Sequence, residues 1–139
     1  MCAAAVFIAT RDEDEPKPVV LSGRTERGHP IELVLDDGKL HSFATGASAL
    51  CPEREVWHSW EWHPSDGNPV RFRQDGRRIY VRERAEFPDA EPPAVLANAM
   101  RAELAKDGDS IRGTIAARGI WGVGHDSVFC AGRVSFGAG

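Results

Sequence analysis

The segment from Trp57 to His63, WHSWEWH, concentrates side chains that could bind a ligand. Three tryptophans within six residues, Trp57, Trp60 and Trp62, are typical of surfaces on which sugar rings stack. Because successive side chains of a strand point to opposite faces, Trp60 and Trp62 share one face and Trp57 takes the other. A second interpretation is that Trp60 and Trp62 fill the core while Trp57 packs on an outer edge. The sequence leaves both open.

A second candidate site is a row of arginines within residues 70–87, VRFRQDGRRIYVRERAEF. Two alternating runs meet at an Asp-Gly, which predicts a β-hairpin. One phase of the hairpin carries a tyrosine and five arginines: Arg71, Arg73, Arg78, Tyr80, Arg82 and Arg84. Rows of arginine on paired strands predict an anion-binding surface, for acidic glycans or lipid head groups, with Arg71, Arg73, Tyr80 and Arg82 as its candidate ligands. The alternative is a solvated face balanced by Glu26, Glu32, Glu83 and Glu86.

The cysteines carry a prediction about covalent structure. Cys130 shares its strand phase with apolar residues and therefore points into the core, and Cys51 stands where a strand unit ends at a proline. We predict a Cys51–Cys130 disulfide, with Cα atoms within about 7 Å of one another. Disulfides persist in oxidising compartments, so this pair favours an exported protein. Cys2 remains unpaired in this scheme.

Signals for catalysis and for metal binding are weak. The five histidines have no His-x-His or His-x3-His spacing, and His58 and His63 fall on opposite faces of one predicted strand. No Gly-x-Ser-x-Gly, phosphate-binding loop or cysteine with an evident base is present. We therefore predict no metal and no cofactor, and we favour binding over an enzyme activity, without deciding the latter.

The elements that must position these residues are β-strands. Alternating runs flank Asp37-Gly38 and Asp75-Gly76, and a third Asp-Gly follows residues 94–106. That last segment fits either a helix or a strand, and we favour the strand because the hairpin pattern repeats. The sequence predicts an all-β fold of about eight antiparallel strands in a hairpin-rich meander, closed as a sandwich or as a barrel.

Length and charge limit the organisation of the chain. Its 139 residues suffice for one domain, which we place at residues 19–139. Residues 1–18 combine an apolar leader with a charged linker, and we interpret them as the remnant of a signal or anchor segment. A frayed extra strand or a disordered leader is the alternative. The net charge of −4 and the lack of a long basic run give no reason to expect nucleic acid.

Short motifs resemble a family. SGRTERGHPIEL at residues 22–33, Cys51, RGTI at residues 112–115 and CAGRVSF at residues 130–136 resemble small uncharacterised bacterial secreted or membrane-anchored β-rich domains. Those domains share a Gly-x-Thr-x-x-Gly opening and a Cys-x-Gly-x-Val-x-aromatic ending. The resemblance implies a β-rich fold and an extracytoplasmic location, and it supplies no active site.

Together these features predict an extracytoplasmic, non-catalytic binding or envelope-associated β domain. Its partner would be an anionic glycan or another envelope component, with membrane attachment through a segment upstream of Arg11. The alternative is an eight-stranded barrel that holds a small apolar ligand, or an enzyme that acts on one. Ligand identity and oligomeric state do not follow from the sequence.

Overall fold

Nine antiparallel strands form the domain in the computed structural model, which describes residues 17–53, 55–63 and 70–139. They are β1 Val19–Thr25, β2 Pro30–Asp36, β3 Lys39–Cys51, β4 Val56–Trp62, β5 Val70–Asp75, β6 Arg78–Phe87, β7 Ala94–Leu104, β8 Ile111–Trp121 and β9 Val128–Ala138. A single 3-10 turn, Gly124–Asp126, joins β8 to β9. The predicted all-β meander is confirmed, with one strand more than the eight expected.

All nine strands belong to one sheet, in the order β4-β3-β2-β1-β9-β8-β7-β6-β5. The sheet closes on itself because β9 also pairs with β3, at Leu50 and Ala131. Strands β1, β2, β3 and β9 therefore form a closed four-stranded barrel. Strand β4 extends the sheet from the far edge of β3, and β8 to β5 extend it from β9 as one continuous antiparallel ladder.

Tight turns set the register of the hairpins. Asp37 and Gly38 occupy the β2–β3 turn, and both have positive φ, 53° and 75°, as a two-residue hairpin turn of this kind requires. The predicted Asp75-Gly76 turn is displaced by one residue, because Asp75 pairs with Arg78 and the turn residues are Gly76 and Arg77. The hairpin itself lies where the sequence predicts it.

The core is formed by the side chains of one phase of the strands, so its residues follow the alternation of the sequence. Leu33, Ile79 and Ile115 are completely buried, and Trp62 packs edge-on against Phe43 with ring centroids 4.8 Å apart. Residues 94–104 alternate in burial as β7 and pair along their whole length with β6 and β8. The strand interpretation of this segment is therefore confirmed, and the helical alternative is wrong.

Two side chains of the hairpin lie differently from what the local sequence pattern suggests. Phe72 has the inward phase of its strand, but it is 50% exposed because β5 is the edge strand of the sheet. Glu83, which the alternative interpretation of the arginine row placed in solvent, is buried on the inner face of β6. It lies in the opposite strand phase from Arg82 and Arg84, so it points into the domain. No helix of the described residues is long and apolar enough to cross a bilayer.

Candidate functional site

The outer face of strands β5 to β9, which we call the arginine face, is the most distinctive surface of the domain. Strands β6 to β9 alternate, so one set of side chains enters the core and the other lies outside, while β5 at the sheet edge has no buried side chain. Nine arginines occupy exposed outer positions on the five strands: Arg71, Arg73, Arg78, Arg82, Arg84, Arg101, Arg112, Arg118 and Arg133. Three carboxylates share the face: Asp75, Glu86 and Glu103.

The ladder register sorts these arginines into rows that cross the strands. In one row Arg71 pairs with Arg82, Arg82 with Ala99, Ala99 with Ala116, and Ala116 with Arg133. The next row runs from Arg84 through Ala97 to Arg118 and Ala131. The first row therefore has arginines toward both ends and two alanines between them, and arginine and alanine alternate along the second row. Short alanine side chains leave a low floor along which an elongated ligand could lie between the arginines.

Tyr80 lies between two arginines in a third row, which runs from Arg73 through Tyr80, Arg101 and Thr114 to Ser135. The guanidinium carbons of Arg73 and Arg101 lie 5.0 and 5.3 Å from the centroid of its ring. Such cation–π contacts hold the guanidinium groups of Arg73 and Arg101 beside the ring of Tyr80. An open groove of about 550 Å³ adjoins this row and is lined in part by Tyr80, Arg101, Thr114 and Ser135. The surface around Tyr80 thus combines the guanidinium groups of Arg73 and Arg101 with the hydroxyl groups of Thr114 and Ser135.

The charge of the arginine face is opposite to that of the chain. Nine arginines against three carboxylates give +6, whereas the whole chain carries −4, so the remaining residues carry −10. Arg71 and Arg82 stand directly opposite one another, an arrangement that destabilises a sheet. Among the described residues, Arg84 and Glu86 form an ion pair at 3.1 Å on this face. Most of the arginines thus remain uncompensated by neighbouring carboxylates within the described part of the chain.

The candidate tryptophans do not form one stacking surface. Trp62 is buried, and its Nε1 donates a hydrogen bond to Oε1 of Glu83 at 3.0 Å. Trp60 is half-buried, and its Nε1 donates to Oδ1 of Asn98, also at 3.0 Å. Glu83 and Asn98 are cross-strand partners on β6 and β7, so two adjacent indoles of β4 reach across the interior to two adjacent acceptors.

Trp57 takes the other face of β4, as the strand parity predicts. Its ring is half-buried, and the guanidinium carbon of Arg27 lies 4.0 Å from the ring centroid. The structure thus places Trp60 and Trp62 inside the domain and Trp57 outside it. Arg71, Arg73, Tyr80 and Arg82, by contrast, lie together on one exposed face.

The predicted disulfide is present. Cys51, the last residue of β3, bonds to Cys130 of β9, with the Cα atoms 4.3 Å apart and a separation of 79 positions in sequence. Both cysteines are buried. The bond lies next to the Leu50–Ala131 pair that closes the barrel, so it fastens the strands at the point of closure.

A second groove, of about 560 Å³, opens near β4 and contains a serine–histidine contact. Nε2 of His29 lies 3.2 Å from Oγ of Ser59, which in turn lies 3.0 Å from Oγ of Ser48. The His29 ring packs over Gly46, where a Cβ would collide with it. Within the described residues no carboxylate is hydrogen-bonded to His29, so the contact lacks the third group that orients a catalytic histidine. We take it as a structural contact.

Sequence reasoning missed four members of the arginine face: Arg101, Arg112, Arg118 and Arg133. Each is isolated among small or apolar residues, so no local run of arginines marks it. The available signal was strand parity, since all four fall in the outer phase of β7, β8 or β9. Parity shows that they lie outside, but only the strand order places them beside the hairpin.

Comparison of the chain with protein-family models, with curated proteins and with solved structures gives no match. Within the described residues, no three histidine, cysteine, aspartate or glutamate side chains are grouped so that they could hold a metal ion.

Proposed function

We propose that this chain is a non-catalytic binding domain that holds an anionic partner on its arginine face. One observation carries the proposal: nine arginines and three carboxylates share the outer face of five consecutive strands in a chain that is acidic overall. A surface with this excess of positive charge attracts and concentrates anions. The partner belongs to the cell envelope, as an anionic glycan or another anionic envelope component.

The identity of the basic residues supports recognition of oxyanions. All nine cations of the face are arginines, whose planar guanidinium groups bind phosphate, sulfate and carboxylate through two parallel hydrogen bonds. Tyr80 holds Arg73 and Arg101 in place before any ligand arrives, which lowers the entropic cost of ordering them. Bound anions would also relieve the repulsion between Arg71 and Arg82.

The compartment forms part of the proposal. The buried Cys51–Cys130 disulfide favours an oxidising location, outside the cytoplasm. The apolar leader lies in residues 1–16, outside the described part of the chain, and its role as the remnant of a signal or anchor segment stays a prediction. The resemblance to secreted bacterial β-rich domains points to the same compartment.

The alternative function is a barrel that holds a small apolar ligand, or an enzyme that acts on one. Such a barrel needs an interior cavity with a few polar groups converging in it. Here large side chains occupy the interior, and the buried polar groups Glu83 and Asn98 accept hydrogen bonds from Trp62 and Trp60. The filled interior favours the binding domain.

Binding to dextran sulfate, with uncharged dextran for comparison, tests the proposal. We expect salt-sensitive binding to the sulfated polymer alone, since exposed charges are screened within about 10 Å at 0.1 M salt. Changing the row Arg71→Gln/Arg82→Gln/Arg133→Gln should weaken binding by about tenfold or more, because each exposed ion pair contributes up to about 1 kcal/mol.

The matched control removes three positive charges from elsewhere on the domain: Lys17→Gln/Arg27→Gln/Lys39→Gln. These residues are exposed in or beside β1–β3, outside the five strands of the arginine face, so the control should change affinity by no more than about twofold. Equal losses in the two triple variants would show that net charge alone drives binding, and the arginine face would then have no special role. No binding by the intact domain at low salt would refute the proposed function.

A further inference from the structure

One end of the arginine face carries exposed apolar side chains. Ile120 of β8 is 42% exposed, Phe129 of β9 53%, and Val123, in the turn between these strands, 75%. Ile120 and Phe129 are cross-strand partners, and Ile120 also pairs with the half-buried Val95 of β7. We call Ile120, Val123 and Phe129 the apolar rim. Ile120 and Phe129 are adjacent across the sheet and Val123 follows them in the connecting turn, unlike single exposed apolar residues, which are common on protein surfaces.

The apolar rim continues the arginine face. Ile120 lies two residues beyond Arg118, and Phe129 two residues before Ala131, in the same outward phase of β8 and β9. Residues two apart along a strand are separated by about 7 Å, so Ile120 and Phe129 lie in the next row after Arg84, Ala97, Arg118 and Ala131, a row that begins with Glu86 and Val95. Cations and apolar side chains therefore stand side by side on one surface.

Neighbouring residues that point inward hold the rim in position. Trp121, next to Ile120, is half-buried, and its ring lies 5.4 Å from His58 and 6.0 Å from Trp60. Cys130, next to Phe129, is fastened to β3 by its disulfide. Trp121 and Cys130 thus fix the backbone on which Ile120 and Phe129 point outward to solvent.

We infer that the anionic partner is a lipid surface, with the apolar rim inserted among the head groups and the arginines bound to lipid phosphates. This inference rests on the proposed function and names its partner. Aliphatic side chains such as Ile120 and Val123 offer a glycan neither a stacking plane nor a hydrogen bond, whereas burial in the acyl boundary is favourable for them. With the rim lowest, the arginines nearest to the lipid phosphates are Arg118 and Arg84, of which Arg84 is also ion-paired with Glu86, and the farther arginines lie in the rows above them.

Vesicle binding tests the inference. We expect the intact domain to bind vesicles that contain about one third phosphatidylglycerol, in a salt-sensitive manner, and not vesicles of phosphatidylcholine alone. The row variant Arg71→Gln/Arg82→Gln/Arg133→Gln should bind them about 100-fold more weakly, because each arginine near an anionic membrane is worth about fivefold. The rim variant Val123→Ser/Phe129→Ser should bind them about tenfold more weakly or worse, while its binding to dextran sulfate stays within about twofold, since no cation is removed.

The control for the rim variant is Val20→Ser/Phe72→Ser. Val20 and Phe72 are 54% and 50% exposed, and they lie outside the rim, on β1 and β5, so vesicle binding should not change. If the rim variant binds vesicles as the intact domain does, or if the domain binds dextran sulfate but no vesicles, the lipid inference is wrong and the proposed function survives with a soluble polyanion as partner. Failure to bind both probes would overturn both proposals.

Discussion

The two indole hydrogen bonds that cross the interior allow a stability test on a single strand. Replacing each tryptophan of β4 by phenylalanine removes the same N–H group and the same ring volume at three positions, Trp57, Trp60 and Trp62. Trp62 is 2% exposed and donates at 3.0 Å to the buried Glu83, so Trp62→Phe both weakens packing and takes one donor from that carboxyl. A hydrogen bond to an acidic group is worth about 1.5–3 kcal/mol, and the smaller ring leaves a void beside Phe43, so we expect a loss of about 2–5 kcal/mol.

The other two positions provide graded comparisons. Trp60 is half-buried and bonds to the neutral amide of Asn98, so Trp60→Phe should cost about 1–2 kcal/mol. Trp57 lies outside against Arg27, so Trp57→Phe should cost less than about 1 kcal/mol. Urea unfolding followed by far-UV circular dichroism gives the free energy of unfolding without depending on tryptophan emission, and an unchanged m value confirms that only stability has changed. Equal losses at the three positions would refute the interior assignment of Trp60 and Trp62.

Two further predictions concern the disulfide and the N-terminal segment. Changing both Cys51 and Cys130 to alanine opens a loop whose ends are 79 residues apart in sequence. We expect the free energy of unfolding, measured with urea against the oxidised protein, to fall by about 2–5 kcal/mol. A fall below about 1 kcal/mol would mean that the disulfide does not hold the barrel closed. Deleting residues 1–16 should leave the Tm within a few degrees, since this leader has no periodicity that would place it in the sheet, and a large fall would show that it contributes to the folded domain.

Most of the fold was predictable because β-structure leaves a period of two in the sequence. The alternation in residues 70–87 predicts both strands and the inward phase of Ile79 and Val81, which are buried. Alternation does not predict how exposed an inward-pointing side chain is on a strand at the edge of the sheet. Phe72 has the inward phase, yet β5 has a neighbour on one side only, so half of its surface stays exposed.

Burial of an acidic residue is equally hard to foresee from sequence alone. Glu83 lies between two arginines in sequence, which suggests a solvated position, but its strand phase directs it inward. It is accommodated there because Trp62, from a strand 21 residues away in sequence, brings an indole N–H to it. Such a pair depends on tertiary contact, which the local pattern does not encode.

The candidate site was predictable in its hairpin and not in its full extent. Arg71, Arg73, Tyr80 and Arg82 follow from two adjacent strands joined by a short turn. The other half of the face comes from β7, β8 and β9, which join this hairpin through long ladders. A sequence that allows either a sandwich or a barrel does not say which strands continue the hairpin, so single arginines on those strands cannot be assigned to its face.

The most direct test of the central claim is to map where an anion binds. Titration of the isotopically labelled domain with a short sulfated dextran, followed by amide and arginine side-chain NMR shifts, locates the contact without any substitution. We predict that the perturbed signals cluster on the outer positions of β5 to β9, with Arg82, Arg101 and Arg118 among the most affected. The affinity measured from these shifts should fall as the salt concentration rises, because salt screens exposed ion pairs. Shifts confined to the groove at His29 and Ser59, or spread evenly over all basic residues, would show that the arginine face is not a specific binding surface for anions.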